Sequence, residues 1–305
     1  MRIAWMWPAL ALLAAGCGPG KPASARLDPA VEKLIPADTV MLVSIRMEAV
    51  RQTAIYTKVL AGLPSSTLDR FARETGLDPR RDVSELVVAG NGKDTLVIGR
   101  GKLAVSELGK KLESLGARRL SHKGRTLWGS EETAVAFPDS STAVAGPTRA
   151  VRAALDSTSP KLAAPLSEAL EGIPAGVHAW AVWLAGGLPL PSASGAARGG
   201  AAGAILQNAE KLFGSLGRAT LWTDLQTGLK LEAAGECAAE PDAKKLHDAL
   251  RGLIGFARLQ TRDDQRDMLA FYDAFEVTVA GPRVRIKAEI APELLDKFLQ
   301  SRTTR

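Results

Sequence analysis

Histidine is nearly absent: His122, His178 and His247 are the only three in 305 residues. None stands at a metal-ligand spacing from another, and no His-Glu-x-x-His helix occurs, so no metal site is expected. Cysteine is scarcer, with Cys17 and Cys237 alone, which excludes a disulfide framework. Cys237 closes the strand-like stretch Leu229–Cys237 and reads as a small buried hydrophobe. The chain has no Gly-x-Ser-x-Gly elbow, no Ser-x-x-Lys pair and no Gly-x-x-x-x-Gly-Lys-Ser/Thr loop. Gly90, Gly92, Gly99 and Gly101 lack the spacing of a dinucleotide loop. No catalytic residue and no cofactor are therefore assigned, and the chain is expected not to be an enzyme. Asp263 and Asp264 sit between Arg262 and Arg266 and read as a solvated charged loop, not as a calcium loop. Long basic runs are missing too. The formal charge of +6 is spread over pairs such as Lys110-Lys111, Arg118-Arg119 and Lys244-Lys245, a pattern that fits a solvated basic surface and makes nucleic acid an unexpected partner.

What is present begins at the N-terminus. Arg2 precedes an apolar stretch from Ile3 to Ala15, broken only by Pro8. A bilayer span needs about 20 residues, so this stretch is too short to cross and reads as a signal peptide over residues 1–16. It ends Leu13-Ala14-Ala15-Gly16-Cys17, which resembles a bacterial lipobox, with the leucine one place further from the cysteine than in the commonest form. The resemblance covers these first 17 residues. It implies that Leu13, Ala14, Ala15 and Gly16 are read by the signal peptidase and that Cys17 becomes the first mature residue, carrying diacylglycerol and a palmitate-type N-acyl chain. Several acyl chains anchor stably where one holds marginally, so the implied partner is a membrane reached through Cys17. Gly18 then implies the outer rather than the inner membrane, facing the periplasm. The alternatives are an ordinary secretory signal with a coincidental cysteine and an uncleaved anchor. Gly, Pro, Ser and Lys without periodicity follow, and residues 17–29 read as a flexible tether.

Hydrophobic residues make up 46% and charged residues 24% of the chain, enough for a packed core in one large or two ordinary domains. The body repeats itself. Ile35-Pro36-Ala37-Asp38 leads into the apolar strand Thr39–Ile45. Beginning 138 positions later, Ile173-Pro174-Ala175-Gly176 leads into Val177–Leu184. The hairpin Glu85–Gly99, turning at Asn91-Gly92, is matched by Ala219–Ala233, turning near Thr227-Gly228. Helical stripes follow in both copies (Val105, Leu108, Leu112, Leu115 and Leu246, Leu250, Leu253, Ile254), then strands, then a closing helix. The later strands are expected at Arg125–Gly129, Thr133–Phe137 and Thr142–Ala145 in the first copy. In the second they are expected at Met268–Tyr272, Phe275–Ala280 and Val284–Ile290. The expected fold is α+β: two similar modules of antiparallel sheet plus helices, residues 30–160 and 161–305, arising from internal duplication and joined side by side or in one curved sheet.

The copies differ after their first strand. Copy one has room for helices at Glu48–Leu60 and Thr67–Thr75. Copy two has a Gly-, Ala-, Ser- and Pro-rich segment over 185–200 leading to a helix from about Ala201 to Leu216. Long loops in compact domains are functional or disordered, and Leu188, Pro189, Leu190, Pro191 and Arg198 form the candidate binding loop. Trp180 and Trp183 have opposite parity along one strand, so one faces the core. His178 lies among apolar residues and reads as a satisfied core or edge histidine, not a ligand. The turn-strand opening, the hairpin-helix order and the duplication together resemble exported bacterial proteins of unknown function. The expected role is a lipid-anchored cell-envelope protein that binds a partner, another envelope protein being the candidate, or scaffolds a complex. A periplasmic hydrolase with a dispersed site and a carrier of an apolar ligand are the alternatives. A hydrolase predicts a cleft with convergent titratable groups, and a carrier predicts a large apolar cavity. A scaffold predicts an exposed patch or sheet edge.

Overall fold

The computed structural model of the chain describes residues 23–56, 69–70, 72–73, 77–157, 162–185 and 214–303. In chain order the described elements begin with α1 (Pro29–Glu32), β1 (Met41–Ile45), α2 (Met47–Arg51), α3 (Pro79–Asp82), β2 (Val83–Gly90) and β3 (Thr95–Gly101). Next come α4 (Val105–Ser114), β4 (Arg118–His122), β5 (Arg125–Gly129), β6 (Thr133–Asp139), β7 (Thr142–Pro147) and α5 (Thr148–Asp156). The remainder comprises α6 (Ala164–Leu170), β8 (Ala179–Leu184), β9 (Leu216–Asp224), β10 (Leu229–Cys237), α7 (Glu240–Leu259), α8 (Arg266–Asp273), β11 (Phe275–Ala280), β12 (Arg283–Ile290) and α9 (Pro292–Thr303).

The twelve described strands form one antiparallel sheet in the order β11-β12-β10-β9-β8-β1-β2-β3-β7-β6-β5-β4. The mixed α+β class expected from the sequence is the one observed, with the halves sharing one sheet. Counted outward from the centre, the first half runs β1-β2-β3-β7-β6 and the second β8-β9-β10-β12-β11, with β5 and β4 added only to the first. Val43 and Ala181, related by the spacing of the duplicated openings, are also register partners in the β1·β8 ladder. A local two-fold therefore passes through that pair, as in a homodimer interface. The outer strands obey it: the Gly101 N–H donates to Ser141 O and, in the corresponding place, the Cys237 N–H donates to Pro282 O, both at 2.9 Å.

Period-two alternation decides the two faces. Leu42, Val87, Ala89, Ile98, Val144, Ala136 and Leu127 are register neighbours on one face and are all buried. Over this Leu42 face lie the apolar stripes of the helical segments around α1, α5 and α6, contributing Val31, Leu34, Val151, Leu155, Leu166 and Leu170. The core does not stop at residue 160: Leu166, Ile173, Trp180 and Val182 belong to the same cluster as Val31 and Leu127. On the opposite, Val43 face, α7 lays Ala243 and Leu246 against Leu216, Cys237 and Val284 in a second, smaller cluster. There too, α4 approaches β5 so closely that a Cβ on Gly109 would stand 2.8 Å from the Trp128 ring. The β4–β5 turn carries positive φ at both Lys123 (47°) and Gly124 (77°), the backbone that matches hairpin twist and that glycine adopts freely.

Four expectations change. Met268–Tyr272 is helix α8, not a strand. Its apolar residues Met268, Leu269, Phe271 and Tyr272 follow helical spacing, and Phe271 stacks on Phe298 at 4.1 Å. A strand at Arg118–His122, not expected, pairs with β5 at the sheet edge. Flexibility over 17–29 does not extend through Ser24–Leu27. Ser24 bridges to Pro174, the Ala25 N–H donates to Ile173 O at 2.8 Å, and Ala25 and Leu27 are buried. Helix α2 closes at Arg51, while positions 57–60, 67–68, 71, 74–75 and 201–213 of the expected helices lie outside the described residues.

Leu42 lies beside the two-fold and is fully buried, whereas Val97 is 39% exposed. Leu42→Ala should cost about 2–5 kcal/mol, and Val97→Ala roughly 0.5 kcal/mol or less. Urea denaturation of the two variants should therefore give clearly different midpoints.

Candidate functional site

A hollow with a cavity volume of about 800 Å³ opens at the Ile45 end of β1, where α1, α2, β2 and β3 converge. The β2–β3 register sets Glu85 opposite Arg100, and both belong to the Leu42 face. Alternation thus carries two charged side chains onto a face that is otherwise apolar from Val87 and Ile98 onward. Asp28, the N-cap of α1, accepts from the Ala30 N–H at 2.8 Å and pairs with the Arg100 guanidinium. Ser44, only 1% exposed, donates its hydroxyl to Glu85 Oε1 at 3.1 Å. Burial pushes the Glu85 carboxyl above its ordinary range, opposed by the Ser44 hydrogen bond and by the charges of Arg100 and Arg46.

Six cations line this cleft (Arg26, Arg46, Arg51, Arg81, Arg100, Lys102) against four carboxylates (Asp28, Glu48, Asp82, Glu85). Two of the cations are neutralised locally, Arg100 by Asp28 and Arg81 by Asp82 at 2.8 Å. Arg46 instead donates to the carbonyls of Gly176 and Val177, at 2.7 and 3.5 Å. Arg51 donates to those of Arg80 and Val83, at 3.0 and 2.7 Å. A carbonyl orients a guanidinium without cancelling its charge. Arg26 and Lys102 are exposed at the rim. The cleft therefore keeps surplus positive charge, part of it held in fixed geometry.

The two-fold relates the Glu85–Arg100 pair to Arg218–Glu236, also a cross-strand pair, with the signs exchanged. Around this second pair the charges are closed on themselves. Arg218 reaches Glu236 at 2.6 Å and Arg283 reaches the same carboxylate at 3.3 Å, while Arg285 and Lys287 share Glu232 at 3.1 and 3.8 Å. Arg218 holds the Glu236 carboxyl below its usual range.

The lipidation residue Cys17, the peptidase residues Leu13, Ala14, Ala15 and Gly16, and the loop residues Leu188, Pro189, Leu190, Pro191 and Arg198 lie outside the described residues. The histidines stand apart from one another. His178 is buried, its Nδ1 accepting from the Leu225 N–H at 3.1 Å, and burial pushes its pKa down. His122 pairs with Asp156 at 3.0 Å, and His247 with Asp248 at 2.9 Å. Among the described residues no three His, Cys, Asp or Glu are placed to hold a metal ion, and no helix is long and apolar enough to cross a membrane. Glu85, Arg100, Arg46 and Arg51 were not singled out by sequence. A signal for the first two existed: the Asn91-Gly92 turn pairs them across the hairpin, at positions where the alternation of Val87 and Ile98 calls for apolar residues.

No family model and no curated protein matches this chain. Among solved structures it is similar to TP0453. Crystal form I of that protein gives 12% identity and a TM-score of 0.47, covering 91% of this chain and 98% of the other. Crystal form III gives 11% and 0.48, covering 90% and 99%. At this identity the likeness concerns fold alone.

Two measurements follow. A carboxyl whose folded pKa is raised contributes stability that is intact below the ordinary carboxylate range and is lost as pH rises through the raised value. Glu85→Gln, which keeps an acceptor for Ser44, should therefore melt with the wild type near pH 4 and above it at pH 7. Equal melting temperatures throughout would contradict the assignment. Burial likewise pushes the Cys237 thiol up, so in a Cys17→Ala background a maleimide should label the native protein slowly and the urea-unfolded protein at least tenfold faster.

Proposed function

We propose that this chain is a lipid-anchored cell-envelope protein that binds, and does not transform, a ligand bearing an anionic group, held in the cleft between α1, α2 and the β2–β3 hairpin. The observation that carries this reading is the surplus of cations there, six against four carboxylates, with Arg46 and Arg51 oriented by backbone carbonyls and, among the described residues, in no direct salt bridge. Guanidinium groups held in place suit carboxylate or phosphate oxygens, which they can meet two at a time. The lipobox resemblance of Leu13–Cys17 supports the anchor and the envelope. The hydrolase alternative draws less support, because Ser44, the hydroxyl hydrogen-bonded to Glu85, is 1% exposed and out of a substrate's reach. The apolar carrier draws less as well, since this cavity is walled chiefly by charged side chains.

Two experiments test the halves of the proposal. Cys17→Ala should move the protein from the membrane fraction to the soluble fraction, and unchanged fractionation would remove the anchor. Inorganic phosphate and citrate, titrated calorimetrically into the Cys17→Ala protein, should bind, and more weakly as salt rises. The rim variants Arg26→Ala and Lys102→Ala should each weaken that binding several-fold. Absence of heat with both anions would refute the cleft as an anion site.

A further inference from the structure

The two-fold that relates the halves is broken in one place with chemical consequences. In the first half α5 packs on β3, β6 and β7 and closes the Leu42 face. Its counterpart α9 seats Phe298 flat on Phe271 of α8 instead. Among the described residues, the same face of β10, β12 and β11 is left without a helix, and α6 borders it at β9. Trp222 lies on this face, its register partners being Trp180 on one side and Glu232 on the other. Two hollows of about 180 and 370 Å³ adjoin there, and Trp222 and Glu232 line both.

The charges around the indole differ from those of the anion cleft. Glu232 is shared by Arg285 and Lys287, and Glu236 by Arg218 and Arg283. Together the two hollows are lined by five cations and five carboxylates, so the surface exerts little net pull on an ion. What it offers is the part of the Trp222 indole left outside the core cluster, beside guanidinium and carboxylate groups held by their mutual pairing. A polyhydroxylated ring fits that combination. Its C–H face packs on an indole, and its paired hydroxyls bond to planar groups that donate or accept two at once. From this we infer that the open sheet face around Trp222 is a binding site for a neutral oligosaccharide. The inference is independent of the anion cleft, which lies in the other half.

Calorimetric titration of the Cys17→Ala protein with chitotetraose and with maltotetraose tests it. At least one should bind, with an affinity insensitive to salt, unlike the anions above. Trp222→Ala should abolish the heat. Because Trp222 is half-buried and its loss could disturb folding, Lys287→Ala and Glu232→Gln are the decisive variants. With unchanged circular dichroism, each should weaken binding at least fivefold, while Arg26→Ala in the other cleft should leave it unchanged. No heat with either sugar overturns the inference. So does binding that survives both Lys287→Ala and Glu232→Gln, or that falls with Arg26→Ala.

Discussion

The ladder between β1 and β8 is five residues long on the β1 side, Met41–Ile45 against Ala179–Trp183, and every larger feature of the molecule depends on it. Backbone hydrogen bonds make the join, so it asks little of particular side chains beyond extended backbone and apolar bulk. Once β1 and β8 pair, the hairpins β2–β3 and β9–β10 extend the sheet in opposite directions. The Leu42 face becomes one surface continuous across both halves, and a core cluster built on it runs from Ala25 to Val182. A pair of modules that met only through side chains could drift apart in sequence and separate. Modules that share a ladder cannot part without breaking the sheet at its centre.

The shared ladder also explains how related halves came to differ in chemistry. The two-fold keeps each face on its own side, so α4 and α7 both lie on the Val43 face. The first half buries the Leu42 face under α5 and α6, and Val87, Ile98, Val144 and Leu127 are apolar there. In the second half, among the described residues, no helix covers it over β10, β12 and β11, and these strands carry Glu232, Glu236, Arg283, Arg285 and Lys287. The position of one helix decided whether a strand's alternate residues had to be aliphatic or could be charged. The Glu85–Arg100 pair sits at the margin of the covered region. There a carboxyl is buried enough to be raised in pKa and still lies on the wall of an open cleft.

Much of this was legible in the chain. β12 reads its own faces, with Arg283, Arg285, Lys287 and Glu289 alternating with Val284, Ile286, Ala288 and Ile290. The repeated Ile-Pro-Ala openings placed β1 and β8 in correspondence, and their pairing follows the same correspondence. The Met268–Tyr272 segment was misread because five apolar or aromatic residues fit either period in so short a run. Phe298, far along the chain, settles it by stacking on Phe271. The anion cleft was invisible for a different reason. Arg26, Arg46, Glu85 and Arg100 come from four separate segments and share no spacing, and what makes the two central arginines available is the backbone carbonyls they face.

The docking of Ser24–Leu27 against Ile173 and Pro174 would set the length of a leash if Cys17 carries the proposed anchor. Only six peptide steps separate Cys17 from Ala23, where the described chain begins. Fully extended they span at most about 22 Å. A body held by acyl chains on Cys17 would therefore be moored close to the bilayer, free to swivel but not to roam. Arg26 and Asp28, just past the mooring, are walls of the cationic cleft. The mouth of that cleft could then approach within a Debye length, about 8 Å at physiological salt, of whatever charge the membrane surface presents. The lipid field and the protein's own arginines would act on the same arriving ion.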